Sequence, residues 1–313
     1  MQPVPPGTMT VLRDALIMPL RGSLDQFSGG VFKGEVCLPG SLLWRGRVAE
    51  FYGCPAPLES VRLALGPGED CVDRLEGEYL FGGYLFRHYG HFLIETLSRL
   101  YALRQCAPAP IIFSSTHREI MPWQQYIFKL LCPNYPIIIL KRPAVVSQLV
   151  LASPGFVMPD NVAPEQIEAL GVLPAPPLNK KKIWLSRGCY IGGGLLNERA
   201  LEPLLASLGW EIVHPQFLSI RKQVALIASS AQVAGLDGSA FHTALLAKEI
   251  RGRFTIFFLR NMGAHAYTKI ATMKGIDQTE ISLAESVNFL AGQGPECFYN
   301  LNDMEVVLKA LRE

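Results

Sequence analysis

Between residues 183 and 259 the sequence alternates between two kinds of apolar pattern, and this alternation constrains the fold more than any other feature. Short apolar runs favour β-strands, and the longer segments between them repeat apolar residues at helical spacing. The predicted strands are 183–186, 210–213, 233–236 and 254–259, and the predicted helices are 197–208, 219–230 and 239–248. Because parallel strands are joined through helices, this order predicts a Rossmann-like α/β domain.

A second α/β domain is predicted before this series. Its expected strands are 110–114, 135–140 and 145–152, its expected helices are about 119–131 and 164–170, and short strands such as 31–32, 35–38 and 61–65 are expected before residue 80. A chain of 313 residues is long enough for two domains. We place the boundary in the proline-rich run 174–182, which can continue neither a helix nor a central strand.

Composition argues against several classes of protein. The chain has 29 basic and 27 acidic residues, which is not the charge balance of a nucleic-acid-binding protein. Its seven cysteines form no CxxC pair, so neither a disulfide framework nor a zinc site is expected. No apolar run approaches the roughly 18 residues of a transmembrane helix, and the N-terminus resembles no signal peptide. We therefore expect a cytoplasmic protein that is at most peripheral at the inner membrane.

The stretch 232–247 is interpreted as a strand, a tight turn and a helix. Gly238 in the Asp237-Gly238 turn can adopt a positive φ without penalty, and Ser239 is expected to N-cap the helix. His242, three residues into that helix, would face phosphate or cap the turn. Free backbone N–H groups and the positive end of the dipole at such a helix start form an anion site. The alternative is an ordinary turn between strand and helix that is capped for stability alone.

Arg187 directly follows the strand 183–186, at the carboxyl end where open α/β sheets bind ligands. A guanidinium suits a diphosphate there, because its forked donors match phosphate oxygens and it stays charged. Pairing with a nearby carboxylate is the alternative. The glycines 192–194 add a flexible loop beside it, but neither GxGxxG nor a P-loop motif is present.

His91 and Glu95 stand four residues apart on a helix that is predicted to begin near Gly90, so they share one face. The imidazole could accept a proton from a hydroxyl nucleophile while the carboxylate orients it, or the carboxylate could be the base itself. Alternatively the two residues form only a local charge pair. The histidines lack the spacing of a metal site, so no metal is expected.

The order of these motifs resembles glycosyltransferase family 61, in a bacterial-type member, over about residues 80–250. The series comprises His91 to Glu95 on one helix, Ser186-Arg187, Asn197-Glu198, the helix that contains Gln223, and the turn from Gly235 to His242. One departure is that Gly193-Gly194-Leu195-Leu196 stands where family members carry an arginine before the Asn-Glu pair. The first 80 residues carry no part of the resemblance.

The resemblance implies a GT-B-like α/β fold, in which two Rossmann-like domains face each other across a cleft. Residues 1–175 would form the acceptor-side domain and residues 183–295 the nucleotide-sugar-binding domain. The C-terminal helix, within 300–313, would pack back on the N-terminal domain.

The resemblance also implies an inverting, metal-independent transfer of a hexosyl or pentosyl group from a nucleotide-sugar, commonly a UDP-sugar, without a cofactor. The acceptor would be a hydroxyl of a glycan, a lipid-linked glycan or a protein, in surface polysaccharide or glycan biosynthesis. His91 is the first candidate for the base and Glu95 the second. The donor diphosphate would be bound by residues of the C-terminal domain, namely Arg187, Asn197, Asp237, Gly238, Ser239 and His242.

The sequence is also compatible with two other functions. The missing arginine favours a non-catalytic nucleotide- or glycan-binding relative with the same fold. A GT-B enzyme of another class, such as a polyol-phosphate transferase, would use a nucleotide-activated alcohol as its donor.

Overall fold

The computed structural model describes residues 8–22, 27–38, 41, 43–44, 47–48, 72–115, 117, 119–157, 161–189, 194–260, 265–292 and 297–312. The chain folds as two compact units, Met1–Val172 and Leu173–Glu313. The strand expected at 61–65, and Gly192 and Gly193 of the expected glycine loop, lie outside the described residues.

The first unit combines long strands with short helices. Its strands are β1 (Met9–Gly22), β2 (Phe27–Lys33), β3 (Val36–Cys37), β4 (Leu43–Trp44), β5 (Arg47–Val48), β6 (Asp73–Tyr84), β7 (Ile111–Ser114), β8 (Ile137–Leu140), β9 (Ala144–Ala152), β10 (Phe156–Val157) and β11 (Asn161–Val162). Its α-helices are α1 (Tyr89–His91), α2 (Pro122–Leu131) and α3 (Pro164–Leu170), with a π-helix at Phe92–Thr96 and a 3₁₀-helix at Leu100–Arg104.

The main sheet of the first unit is mixed, in the order β3-β2-β1-β9-β6-β7-β8. Strands β9, β6, β7 and β8 run parallel, as the βα alternation predicts. Strand β1 is antiparallel to both β9 and β2, so this sheet is not the all-parallel sheet of a Rossmann-like domain. The difference arises because β1 and β2 add an antiparallel pair to the sheet, and alternate residues of β1, such as Ala15 and Ile17, enter the core.

The second unit follows the predicted alternation closely. Its strands are β12 (Lys182–Leu185), β13 (Gly194–Leu195), β14 (Trp210–Val213), β15 (Gln232–Leu236), β16 (Arg253–Phe258), β17 (Gln278–Ser282), β18 (Val287–Ala291) and β19 (Phe298–Leu301). Its α-helices are α4 (Glu198–Ser207), α5 (Ile220–Ser229), α6 (His265–Lys274) and α7 (Glu305–Arg312), and 3₁₀-helices span Pro215–Phe217 and Ser239–Leu246.

Five strands of the second unit form a parallel sheet in the order β14-β12-β15-β16-β17. The chain goes from β12 to the edge strand β14 on one side and then returns to β15 on the other side of β12. Strands β12 and β15 are therefore the point where the direction of winding reverses. In open α/β sheets, ligands bind outside the carboxyl ends of the strands at such a switch point.

Helix α7 packs its apolar residues within the second unit. Its apolar residues Val307, Leu308 and Leu311 are buried in the core of the second unit, in one cluster with Trp184 and Phe257. The helix is amphipathic and the parallel sheet needs cover, so α7 buries its apolar side on its own unit. The expectation that this helix packs back on the N-terminal domain stays a prediction.

Candidate functional site

The carboxyl ends of three neighbouring parallel strands bring charged residues together in the second unit. Arg187 follows β12, Asp237 follows β15, and Arg260 follows β16. In the strand register, Leu185 of β12 pairs with Gly235 of β15, and Leu236 of β15 pairs with Phe257 of β16. These three side chains therefore start from one edge of the sheet, with Arg187 and Asp237 on either side of the switch point.

The side chain of Arg187 lies against the turn that follows β15. Its Nη1 donates a hydrogen bond of 2.6 Å to the backbone oxygen of Asp237. A Cβ atom added to Gly238 would stand 3.4 Å from Cδ of Arg187, and one added to Gly194 would stand 3.8 Å from its Cζ. Gly194 has a φ of +125°, which only glycine adopts readily, so a glycine allows the chain to pass beside the guanidinium.

The carboxylate of Asp237 belongs to a half-buried residue and is influenced by the charges of two arginines. Burial raises its pKa, while the charges of Arg187 and Arg260 and a hydrogen bond from the backbone N–H of Leu259 oppose that shift. The buried phenol of Tyr267 accepts a hydrogen bond from the backbone N–H of Gly238, and its pKa is raised by burial. Desolvated charges and donors at one strand edge are typical of binding sites for charged ligands.

The segment after the turn differs from the prediction in two ways. Gly238 is extended, with φ of −179°, so it does not use the positive φ that a glycine allows. Ser239 is the first residue of a 3₁₀-helix whose N-cap is Gly238, so the expected α-helix with Ser239 as its N-cap is wrong. Residues 241–246 are buried on all sides, and packing rather than an amphipathic α pattern therefore sets this geometry.

His242 lies on this 3₁₀-helix beside the turn. Its ring is buried and stacks on Tyr267, with centroids 4.9 Å apart and planes inclined by 17°. It thus supports the residue that binds the Gly238 N–H, and it is packed within the unit.

Asn197 and Glu198 hold the surroundings of Arg187 in place. The amide of Asn197 donates to the backbone oxygen of Leu301 (2.9 Å) and accepts from its N–H (3.0 Å), so it fastens this loop to β19. The buried carboxylate of Glu198 accepts from the backbone N–H of Arg187 and from the indole of Trp184, both at 3.0 Å. Burial raises the pKa of Glu198.

Two members of this site, Arg260 and Glu198, were not among the predicted site residues. Arg260 follows the predicted strand 254–259 just as Arg187 follows 183–186, so the same rule could have identified it. Glu198 stands in the Asn-Glu pair of the family motif, but its contact with the Arg187 backbone depends on how α4 packs, which the sequence does not reveal.

The first unit contains the predicted His91–Glu95 pair, and the two side chains are in contact through Nδ1 of His91 and Oε2 of Glu95. The side chain of His91 is 38% exposed and that of Glu95 only 1%. The predicted helix is irregular here: α1 ends at His91 and a π-helix follows, with the Leu97 N–H donating to the Phe92 oxygen at 3.1 Å. Single π-turns of this kind are frequent at functional sites.

Nearby side chains hold the π-turn against β6. The hydroxyl of Thr96 donates to the Tyr84 oxygen and accepts from the Phe86 N–H, each at 2.9 Å. The ring of Phe86 lies 5.3 Å from that of His91. The imidazole therefore has one nitrogen bonded to a buried carboxylate and a ring face held by packing, and its Nε2 is the atom that could take a proton.

Among the residues that the structure describes, no group of three or more His, Cys, Asp or Glu side chains is arranged to hold a metal ion. No helix in the described ranges is long and apolar enough to span a membrane.

The family model described as Glycosyltransferase 61 matches residues 89–252, a little more than half of the chain. This range includes His91, Arg187 and the turn at Gly238. No curated protein sequence matches the chain.

Proposed function

The chain belongs to glycosyltransferase family 61, and we propose that it is an inverting, metal-independent enzyme that transfers a hexosyl or pentosyl group from a nucleotide-sugar to a hydroxyl acceptor. The observation that carries this proposal is the position of Arg187 against the Asp237-Gly238 turn, at the switch point of a parallel sheet. We propose a UDP-sugar as the donor, because the family resemblance favours it.

On the donor side, the protein must stabilise the charge of the departing nucleoside diphosphate. Arg187 and Arg260 supply positive charge near Asp237. This supports a transfer in which guanidinium groups, and not a metal ion, stabilise the negative charge of the departing diphosphate. Asn197 and His242 support the surrounding loop and turn, and Ser239 begins the 3₁₀-helix that follows the turn.

On the acceptor side, we propose that His91 is the base and that Glu95 orients it. Nε2 of His91 takes the proton of the acceptor hydroxyl while that oxygen bonds to C1 of the sugar. The bond from C1 to the diphosphate oxygen breaks at the opposite face, and the diphosphate leaves with the electron pair, which inverts the configuration at C1. The buried carboxylate of Glu95 stabilises the imidazolium that forms.

The proposal includes the GT-B arrangement, with the acceptor activated on the first unit and the donor bound on the second. A role in surface polysaccharide or glycan biosynthesis, with a glycan, lipid-linked glycan or protein as the acceptor, stays a prediction. The cytoplasmic location, at most peripheral at the inner membrane, also stays a prediction from the sequence.

A thermal-shift panel tests the donor class without a known acceptor. A ligand that binds only the folded state raises the melting temperature by mass action, and the rise grows with the ratio of ligand concentration to Kd. We expect a shift with UDP or a UDP-sugar that persists in EDTA, and a smaller shift with GDP or CMP. A shift that EDTA abolishes would contradict metal independence, and a shift only with a nucleotide-activated alcohol would favour a polyol-phosphate transferase.

The non-catalytic alternative rests on the stretch Gly193-Gly194-Leu195-Leu196, which stands where family members carry an arginine before the Asn-Glu pair. Arg260 supplies a second guanidinium at the same edge of the sheet, and this supports the enzyme over the binding protein. A protein that binds a nucleotide-sugar, yet never releases its nucleotide with any acceptor, would favour the alternative.

A further inference from the structure

Phe217 is an exposed aromatic residue at the edge of the sheet that carries Arg187. It ends the short 3₁₀-helix Pro215–Phe217, which follows the carboxyl end of β14, and 72% of its surface is exposed. A large apolar ring in water is unfavourable, because burial of such a side chain is a main source of stability. Single exposed apolar residues are common on protein surfaces, so exposure alone does not indicate a ligand.

The backbone that carries Phe217 is held rigidly. The Phe217 N–H donates to the His214 oxygen at 3.1 Å, and the Leu218 N–H donates to the Pro215 oxygen at 3.0 Å. The buried amide of Gln223 donates from its Nε2 to the oxygens of Pro215 (2.9 Å) and Leu218 (3.0 Å). A buried glutamine thus fixes the chain on both sides of an exposed ring, which presents the ring at little entropic cost.

The position of this ring relative to Arg187 follows from the strand register. Strand β14 pairs with β12 up to Val213 and Leu185, and the Ser186 N–H donates to the Val213 oxygen at 2.8 Å. Neighbouring strands lie about 4.8 Å apart, so the chain leaves β14 next to the chain that leads into Arg187.

The direction in which a nucleotide would extend is set by the same topology. In sheets that bind dinucleotides, phosphate lies at the end of the first strand and the ribose is contacted from the end of the second strand. Here β12 is the first strand of the parallel sheet and β14 the second. A nucleotide whose diphosphate lies at Arg187 therefore has its nucleoside over the end of β14.

We propose that Phe217 is a stacking surface for the nucleobase of the donor, and that Gln223 is the residue that holds it in position. This inference rests on the proposed function, because it names the part of the same donor site that binds the base. Every nucleobase has a π-face that an aromatic ring can stack on, so Phe217 contributes affinity for the nucleoside, while other groups select the base. The proposal also gives a role to Gln223, whose helix is part of the motif series that resembles glycosyltransferase family 61.

Calorimetric titration tests this inference with two kinds of ligand, nucleotides and inorganic pyrophosphate. Wild type, Phe217→Ala and Phe217→Trp are titrated with UDP, GDP and CMP, and separately with inorganic pyrophosphate, which has no base. For the nucleotide that wild type binds, Phe217→Ala is expected to weaken binding by about 5- to 150-fold, the range for loss of a base-stacking ring. Phe217→Trp is expected to keep the affinity, and pyrophosphate binding is expected to be unchanged in both variants.

Leu204→Ala is the matched control, since it also removes an exposed apolar side chain from the second unit, on α4. It is expected to leave every affinity unchanged. Gln223→Ala is expected to weaken nucleotide binding with pyrophosphate binding unchanged, because the ring stays but its position is no longer fixed.

The outcomes separate this inference from the proposed function. If wild type binds a nucleotide and Phe217→Ala binds it equally well, the stacking surface is refuted while the donor site stands. A Phe217→Ala variant that loses nucleotide and pyrophosphate together would also refute it, because the effect would then not concern the base. If wild type binds none of the nucleotides, the proposed function fails and this inference fails with it.

Discussion

The guanidinium of Arg187 donates a 2.6 Å hydrogen bond to the backbone oxygen of Asp237, across the two strands where the winding of the sheet reverses. This contact fixes a positive charge at the switch point, where open α/β sheets bind ligands. The backbone of Arg187 is fixed as well, by the buried carboxylate of Glu198. In the proposed mechanism, binding of the donor diphosphate depends on this arrangement.

Replacing Arg187 is therefore expected to weaken nucleotide binding. Loss of hydrogen bonds to a charged ligand corresponds to about a 10- to 150-fold higher Kd for Arg187→Ala. Arg187→Lys is expected to restore only part of the affinity, because an ammonium lacks the forked donors. Calorimetry with UDP measures both effects.

Arg253→Ala is the control for this experiment. Arg253 begins β16 at the opposite edge of the same sheet, where it pairs with Asp277 at 2.9 Å. An exposed pair of this kind contributes little to stability, and the control is expected to bind UDP as wild type does. Equal losses in both variants would contradict a specific donor contact.

The second unit was predictable because its signals are local. Each predicted strand from 183 to 259 lies within two residues of β12, β14, β15 or β16, since apolar runs between helical segments leave few alternatives. In contrast, the pairing of β1 with β9 joins residues more than 100 positions apart, and no pattern within either strand specifies the partner. The mixed sheet of the first unit was therefore not predicted.

Helix type was harder to predict than helix position. The His91–Glu95 contact was predicted from their spacing and is confirmed. The π-turn between them was not, because a spacing of four residues fits an α-helix equally well. Similarly, the 3₁₀ geometry of residues 239–246 depends on the burial of residues 241–246. A local sequence pattern does not indicate this burial. Arg260 could have been identified by the rule that identified Arg187, but its position near Asp237 depends on the pairing of β16 with β15, which the sequence does not specify.

Glu198 is expected to make the stability of the protein depend on pH. Burial raises its pKa above the ordinary 4.5, so ionisation is harder in the folded state than in the unfolded state. The stability that this group contributes is complete below pH 4.5 and is lost as the pH rises through the raised pKa. Glu198→Gln keeps an acceptor for Trp184 and Arg187 but cannot ionise.

The free energy of unfolding of Glu198→Gln, relative to wild type, should therefore increase as the pH rises from 4.5 towards neutrality. Urea denaturation of both proteins at a series of pH values measures this difference. A difference that does not change with pH would mean that burial of the charge has no net effect on folding.

Helix α7 should be essential for the core of the second unit. Leu308 is buried in the cluster that contains Trp184 and Trp210, so Leu308→Ala leaves a cavity and is expected to reduce the free energy of unfolding by about 2–5 kcal/mol. The neighbouring exposed Lys309 provides the control, since Lys309→Ala should change it by less than about 0.5 kcal/mol. Urea denaturation followed by tryptophan fluorescence tests both, and equal stabilities would contradict the packing of α7.

The Glu95→Gln variant tests whether the negative charge of Glu95 is needed for sugar transfer. Glu95→Gln keeps the size of a side chain that is buried beneath His91, but removes the anion that stabilises the imidazolium. Nucleotide release during sugar transfer is expected to slow, while UDP affinity stays that of wild type, because the proposed donor site lies on the other unit. A Glu95→Gln variant as active as wild type would remove Glu95 from the mechanism.

The central claim, that this chain transfers sugars with His91 as the base, is tested most directly by the release of UDP from UDP-sugars in the presence of a mixture of glycan acceptors. Wild type is expected to release UDP only with an acceptor present. His91→Ala should bind UDP normally and release it about 10²- to 10⁴-fold more slowly, as expected on loss of a general base. His117→Ala, in which a half-buried histidine of the same unit is removed, is expected to match wild type. If His91→Ala releases UDP at the wild-type rate, His91 is not the base, and if wild type binds a UDP-sugar without ever releasing UDP, the protein is not the transferase proposed.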